Sequence, residues 1–335
     1  MIAAYGRFIA IRAGMALLTL LLVSFIVFSL MELVPGNCAE RYIAYKSTQG
    51  QLITDEDIRA EEIRMGLDRP FPVRWVDWTW GVFTRGDFGE SCLWRVSVND
   101  LIGDKFMLSL AICVTALVLV YLISIPIGIA SANLRGSWFD SSLRIVSYLG
   151  LALPNFLLAL GVMLAATILL GDTMSGLFSP EFRDAPWSWA RFADMLGRVW
   201  LPIGILAWSA TAIQLQTVRA LVSDEQGKLY VMAARARGLG GARLLMQYPG
   251  RHALGPVVNS IGFDLNRIFN DLPIVAAVLV LTESGSLLLD ALARSNDQQL
   301  AGAIIFMLTA SIVLLNFLTD ILLAVIDPRV RHGML

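Results

Sequence analysis

Residues 106–132 read FMLSLAICVTALVLVYLISIPIGIASA, with not one Asp, Glu, Lys, Arg or His among them. A helix of about twenty such residues crosses about 30 Å of hydrocarbon. Inside hydrocarbon every backbone N–H and C=O must find its partner within the protein, so only helices and closed barrels span it. A barrel strand alternates apolar and polar residues over about ten positions, whereas this run is continuously apolar. The stretch is a membrane helix, and similar runs recur on both sides of it. With 56% hydrophobic and 16% charged residues, the chain is an all-α polytopic membrane protein.

Working outward, the apolar runs predict six spans. The first covers about residues 8–34 and ends at Pro35-Gly36; it is too long for a leader peptide and is expected to be retained. The second is 106–132, the third about 143–170, and the fourth about 199–221, ending in Gln214 and Gln216. The sixth is about 300–326, stopped by Pro328. For the fifth, the clean run 272–281 is too short alone, and extending it back to Val257 takes in Asp264, Asn266, Arg267, Asn270 and Asp271. Asp264 with Arg267, and Arg267 with Asp271, stand three and four apart on one helical face and can neutralise one another. Two readings stay open: a hydrated cytoplasmic mouth, or the wall of a polar pathway formed by Asp264, Arg267, Asn270 and Asp271.

Basic residues orient the spans. Twelve (Arg7, Arg12, Arg135, Arg144, Arg219, Lys228, Arg235, Arg237, Arg243, Arg251, Arg329 and Arg331) fall on one side, against Arg183, Arg191, Arg198 and Arg294 in the short segments of the other. The positive-inside rule then places both termini in the cytoplasm. The chain divides into an N-terminal tail and first span (1–34), a long extracytoplasmic segment (35–105) and a core with the remaining spans (106–335). In the outer segment, Trp75, Trp78 and Trp80 suit either an interfacial helix or the packed core of a small lobe. Cys38 and Cys92 share that side and can bridge in an oxidising compartment, while Cys113 lies in the second span.

Motifs for chemistry are missing. No G-x-x-x-x-G-K-[ST] cradles a nucleotide, no H-E-x-x-H or Cys/His spacing suits a metal, and no G-x-S-x-G presents a nucleophile. Asp55-Glu56 and Glu61-Glu62 read as a solvated helix face. The net charge of −1 carries no footprint for nucleic acid. The chain is not expected to be an enzyme, nor to bind a cofactor or metal.

One segment stands apart. Between the fourth and fifth spans, within about 222–256, runs AARARGLGGARLLMQYPGRHALGP (233–256). Leu229–Arg237 favours helix, Gly238–Gly241 breaks it, and Ala242–Tyr248 is again helical before Pro249-Gly250 breaks the chain a second time. Two short helices at an angle follow, with Leu239, Leu244, Leu245 and Met246 as apolar knobs among arginines. Such a hairpin suits either an anionic lipid surface or the groove of a cytoplasmic protein.

The run YVMAARARGLGGARLLMQYPGRHALGPVV (230–258) resembles the cytoplasmic coupling loop of permease subunits in bacterial ATP-binding-cassette importers, closest to the dipeptide, oligopeptide and nickel group. ELVPG (32–36), GLDRP (66–70) with RGDFGES (85–91), and DPRVR (327–331) resemble further signatures of that group, in its order, over nearly the whole chain. Met232 departs from the glutamate of the broader loop, and TESGSLLLDAL (282–292) lacks the usual proline-glycine turn. The resemblance implies a multi-pass subunit of the bacterial inner membrane that forms half of a translocation pathway for peptides, with oligosaccharides or metal chelates as alternative solutes. It implies a second homologous permease, two cytoplasmic ATPases carrying the ATP and Mg, and an extracytoplasmic binding protein as partners. Ala233, Ala234, Arg235, Arg237, Gly238, Leu239, Arg243, Leu244 and Pro256 would be the residues of the coupling loop. The alternative from another class, a stand-alone secondary transporter or channel, calls for an internal repeat, and none is evident.

Overall fold

A computed structural model describes residues 2–33, 36–48, 50, 54–171, 175–182, 185–281 and 284–326. Pro35, Arg183, Glu283 and the DPRVR motif at 327–331 lie outside the described residues. The chain is helical: α1 (Ile2–Glu32), α2 (Cys38–Thr48), α3 (Asp55–Arg64), α4 (Phe71–Arg85), α5 (Val98–Asn133), α6 (Trp138–Ala152), α7 (Asn155–Leu170), α8 (Trp189–Gln226), α9 (Leu229–Ala236), α10 (Gly241–Gln247), α11 (Pro249–Asn259), α12 (Ile261–Val278), α13 (Ser284–Leu289), a π-helical turn (Asp290–Ser295) and α14 (Gln298–Ile326). An isolated antiparallel bridge joins Glu90 to Ser97. Two compact units emerge, one from residues 1–109 and 282–314, the other from 110–281 and 315–335.

Four helices are long and apolar enough to cross a membrane, namely α1, α5, α8 and α14, and α6 with α7 makes a fifth if that pair is one span. The expected third span is not a single rod, because α6 and α7 meet at 100°. Leu153 precedes Pro154, whose ring pushes it to extended backbone (φ −95°, ψ 114°), so the helix ends there. Pro126 in α5 and Pro202 in α8 do not end their helices. Most of the expected fifth span, 257–281, is the 18-residue α12, with Asp264, Arg267 and Asp271 in it, and α11 ends at Asn259 just inside the expected start.

In the first unit, α4 lies on α1 through aromatic rings. Trp78 is buried against Phe28 (4.7 Å), Phe306 (5.8 Å) and Phe88 (6.3 Å), and its Nε1 donates to the Phe88 carbonyl at 3.0 Å. Trp75 donates to Ser24 Oγ at 3.1 Å, while Trp80 is 69% exposed. Trp78 is thus packed as core, against rings of α1 and α14, while Trp80 on the opposite face is open. Gly302 admits Phe28, since a Cβ there would sit 2.8 Å from its ring.

The RGDFGES segment is a folded turn. Gly86 caps α4 in the left-handed conformation (φ 64°), Asp87 accepts from the Gly89 N–H at 2.9 Å, and Asn99 takes the Phe88 N–H at 3.0 Å while donating to the Gly86 carbonyl at 2.6 Å. Gly89 (φ 88°) lies so close to Gln299 that a Cβ would fall 2.2 Å from its Oε1. Beside this turn, Asp297 is 1% exposed and accepts from Ser91 Oγ (2.6 Å), the Cys92 N–H (2.9 Å) and the Leu300 N–H (3.1 Å), capping α14. Cys92 is disulfide-bonded to Cys38 at the start of α2, with Cα atoms 6.2 Å apart. The carboxylates of α3 are also in use. Asp57 closes a capping box with Thr54, whose backbone bond holds the Asp57 carboxyl below the ordinary carboxylate range, and Glu61 receives Arg64 (2.9 Å) and Arg95 (2.5 Å).

In the second unit α8 is the spine, with α6, α7, α9, α11 and α12 packed on it. Contact is close enough to exclude side chains. A Cβ on Gly128 of α5 would lie 2.8 Å from Val218, and one on Gly150 of α6 would lie 2.7 Å from the Ala212 Cβ. Near the end of α8, Arg219 makes a two-pronged bond to Asp140 (2.5 and 2.9 Å), which also receives Ser131 Oγ (2.7 Å) and the Gly136 N–H (3.0 Å). Two of the twelve orienting cations thus pair with Asp140 within the fold, Arg219 directly and Arg144 at 4.0 Å.

Asp297→Ala leaves a hydroxyl and two N–H groups without their acceptor, and should destabilise the first unit by about 3 kcal/mol or more, read as a drop in the thermal midpoint in detergent. Burial pushes the Asp297 carboxyl up. Protonation therefore favours the folded form: that contribution is full below the unfolded carboxylate value of about 4 and is lost as pH rises through the raised folded value. The stability difference between wild type and Asp297→Asn should accordingly move in favour of wild type as pH is lowered from neutral. Gly150→Leu should cost about 1–3 kcal/mol or prevent folding by forcing α6 off α8, whereas Gly197→Leu, with open space around it, should be neutral in the same assay.

Candidate functional site

The chain leaves α8 at Gly227 and turns into α9. Gly238 (φ 87°) and Gly241 (φ 60°) adopt left-handed backbone that a side chain would strain, and Gly240 caps α10 between them. The two short helices close on a small core of Val231, Ala234 and Leu244, against which Tyr230, Leu239 and Tyr248 pack. Tyr230 stacks 6.3 Å from Tyr248 and 5.0 Å from His252, and its hydroxyl donates to Glu225. Burial and that carboxylate push Tyr230 up to about 12, so it remains a donor at neutral pH.

This arrangement reverses part of the expected surface. Ala234 and Leu244 lie in the hairpin's own core, Leu245 is buried beneath it, and Leu239 is half-buried. They shape the loop. Facing outward are Ala233, Arg235, Arg237, Gly238 and Arg243, with Leu229 (80% exposed), Met232 and Met246 as the apolar knobs. Arg237 Nη2 also donates to the Tyr248 hydroxyl at 3.3 Å. Pro249-Gly250 begins α11 where a second break was expected, because proline fits the first turn of a helix and the chain has already turned at Tyr248 (φ −118°, ψ −81°). Gly250 is required there, since a Cβ would sit 2.8 Å from the Leu245 carbonyl oxygen. Pro256 is exposed within α11.

The base of the hairpin is fixed. Leu245, Ala253 and Val257 bury against Ile129 and Ala132 of α5 and against Val218 and Val222 of α8. A force on the outer face of α9 and α10 therefore reaches α8 and α5 through close-packed side chains and not through a slack linker.

The polar face of α12 is divided among different partners. Asp264, 4% exposed, accepts from the Tyr121 hydroxyl at 2.6 Å, and Gln214 of α8 donates to the neighbouring Ser260 Oγ at 2.9 Å. Asp271 accepts from Asn155 Nδ2 at 2.8 Å. Arg267 forms no ion pair with either carboxylate among the described residues, and its Nη1 is buried without a hydrogen-bond partner. Arg267 acts on both carboxylates through space without touching either, and neutral donors on α5 and α7 supply their direct hydrogen bonds. Asp264 is packed, not solvated, and Asn270 is exposed. Arg267 and Asp271 share a cavity of about 450 Å³ with Asn155, Ser209, Ile213 and Pro154. Tyr121, Asn155 and Ser260 were not singled out from sequence; the one available signal was a lone Asn after Pro154 in an apolar run. Among the described residues, no group of three or more His, Cys, Asp or Glu side chains is arranged to hold a metal ion.

Residues 124–332 match the family described as the binding-protein-dependent transport system inner membrane component, and residues 5–112 match the N-terminal part of such membrane components. A Brucella abortus (strain 2308) protein named for a peptide transport system permease is 28% identical over 321 residues, covering 96% of this chain and 98% of its own. The dipeptide transport system permease protein DppB of Escherichia coli K12 is 26% identical over 347 residues, covering 97% and 99%. Among solved structures, one chain of the methionine ABC transporter MetNI in an inward-facing crystal form superposes with a TM-score of 0.53 at 14% identity, covering 68% of this chain and 96% of that one. That likeness concerns the fold. With apolar helices, a glycine-hinged hairpin packed on two of them, and a family match over most of its length, this chain belongs to the family of binding-protein-dependent transport system inner membrane components.

Proposed function

We propose that this chain is one of two homologous permease subunits of a bacterial ATP-binding-cassette importer for peptides. Two cytoplasmic ATPases dock beneath the pair and a binding protein delivers solute from outside. The observation that carries this reading is the α9–α10 hairpin: arginines and methionine knobs outside, its own apolar core inside, and a base packed into α5 and α8. In this scheme the hairpin seats in a cleft of one ATPase. ATP binding there closes the ATPase pair and carries the hairpin with it, and the spans rotate as packed bodies between two states. Each ligand shifts the balance by its difference in affinity for the two.

Six spans, with both termini cytoplasmic, follow if α6 with α7 forms the third and α11 with α12 the fifth. The 36–97 lobe with its disulfide then lies outside, and the polar face of α12 borders the pathway. ATP and Mg belong to the partner ATPases, and this chain holds neither.

Three measurements test this. Arg243→Glu combined with Met246→Asp should lower solute-stimulated ATP hydrolysis of the complex about tenfold or more, leaving the permease folded, because both residues are exposed. Wild-type rates in that variant would remove the hairpin from coupling. Photolabelling by an ATP analogue should mark the ATPases and not this chain. A membrane-impermeant thiol reagent applied outside should reach Arg59→Cys and not Gly240→Cys, and the opposite pattern would overturn the orientation.

A further inference from the structure

The second unit contains a polar constellation that neither the hairpin nor the helix packing uses. Where α6 breaks at Leu153-Pro154, Asn155 starts α7 and lines the cavity of about 450 Å³ that Arg267 and Asp271 of α12 also border. Its walls are otherwise mostly apolar, with Leu151, Phe156 and Val275 among them. The volume falls within the range of about 300–1,000 Å³ usual for small-molecule sites, and the cavity is open on one side, where Leu151, Leu153, Phe156 and Ile274 are exposed.

The donor and acceptor inventory is specific. Asp271 as a carboxylate only accepts, so Asn155 must present its amide nitrogen to it, at 2.8 Å, which leaves Asn155 Oδ1 as a free acceptor. That oxygen is buried with no partner, on a residue only 4% exposed. Arg267 only donates, and its Nη1 is likewise buried and unpartnered. Buried polar atoms are nearly always satisfied. Arg267 and Asp271 stand four residues apart on one helix and attract through space, yet they make no direct ion pair. The cavity thus offers a fixed cationic donor at one place, and an anionic and a neutral acceptor at another, within an apolar wall.

We propose that Arg267, Asp271 and Asn155 form a site for a small zwitterion, a free amino acid or short peptide, with Arg267 receiving the carboxylate and Asp271 with Asn155 Oδ1 receiving the ammonium group. This rests on the reading of the chain as a peptide permease subunit, and adds to it that the pathway itself reads both ends of the solute. A phosphatidylethanolamine headgroup carries the same pair of charges, so the test separates solute from lipid.

The permease–ATPase complex, without binding protein, is placed in nanodiscs of phosphatidylglycerol and phosphatidylcholine. Binding of dialanine, N-acetyl-dialanine and dialanine amide is then measured by calorimetry. Dialanine should bind about ten- to a hundredfold more tightly than either blocked analogue, the span expected for loss of one charged hydrogen-bonded contact. Arg267→Gln should abolish the preference over the amide and keep that over the acetylated peptide, and Asp271→Asn should do the reverse. A folding defect does not generate that crossed pattern. Arg267→Lys, which keeps the charge, should retain both preferences and serves if Arg267→Gln does not assemble.

Equal or undetectable binding of the three compounds to wild type, or both preferences surviving in both neutral variants, overturns the site. So does complete displacement of dialanine when phosphatidylethanolamine is added to the nanodisc. Dialanine uptake by the complete system with its binding protein is followed in parallel. Uptake without the crossed pattern discards the site and leaves the peptide permease standing, whereas the crossed pattern without uptake keeps the site and discards that permease reading.

Discussion

The close approach of helices to α8 is the constraint on which the second unit depends. In hydrocarbon, water does not drive helices together, so association relies on packing and on polar bonds between them. Packing gains most where backbones nearly touch, and at Gly128 and Gly150 no side chain fits. Ala212 opposite Gly150 extends the same rule to the other helix. With α8 so held, the ends of α6, α7, α11 and α12 are placed relative to one another, and both the hairpin base and the α12 cavity inherit their geometry from it. The Asp140–Arg219 bond closes the arrangement at one end, where a buried carboxylate receives a guanidinium, a hydroxyl and a backbone N–H.

Polar groups elsewhere are used sparingly, and several are joined in local networks. Asp264, Tyr121, Ser260 and Gln214 form a local network in which Asp264 is a structural tie between α12 and α5. Arg267 and Asn155 each have a buried atom lacking a partner, as do Ser124, Trp208, Gln216 and Asn296, but Arg267 and Asn155 border one cavity together. An interior with everything satisfied would have given no reason to assign that cavity a ligand.

Much of the fold was legible because the signals are local. The apolar runs at 106–132, 199–221 and 300–326 fall within α5, α8 and α14, and most of the run at 8–34 is α1, which ends at Glu32; α5 and α8 reach beyond their runs through polar outer turns. The hairpin was legible because Gly238 and Gly241 sit where left-handed backbone is needed. The bend in the third span was missed: hydropathy does not register that Pro154 restricts Leu153. Which leucines of the hairpin face outward also escaped, since a seven-residue helix carries too little periodicity to reveal its buried side. The charges of α12 were visible, but not their partners at 121 and 155, which come near only through tertiary packing. The pairing of Cys38 with Cys92, left open by spacing alone, is made in the structure.

The clamp around Asp297 bears on how the chain is made. Its partners Ser91 and Cys92 precede it by 206 and 205 residues. A ribosome must therefore complete nearly nine-tenths of the polypeptide before the acceptor for those two donors exists. Until then the nascent lobe can bring Cys38 and Cys92 together, because both lie in the first third, yet it lacks the carboxylate that caps α14. Such long-range closure comes late in assembly. Every truncated product ending before residue 297 consequently carries a lobe in which the Ser91 hydroxyl and the Cys92 N–H lack their acceptor.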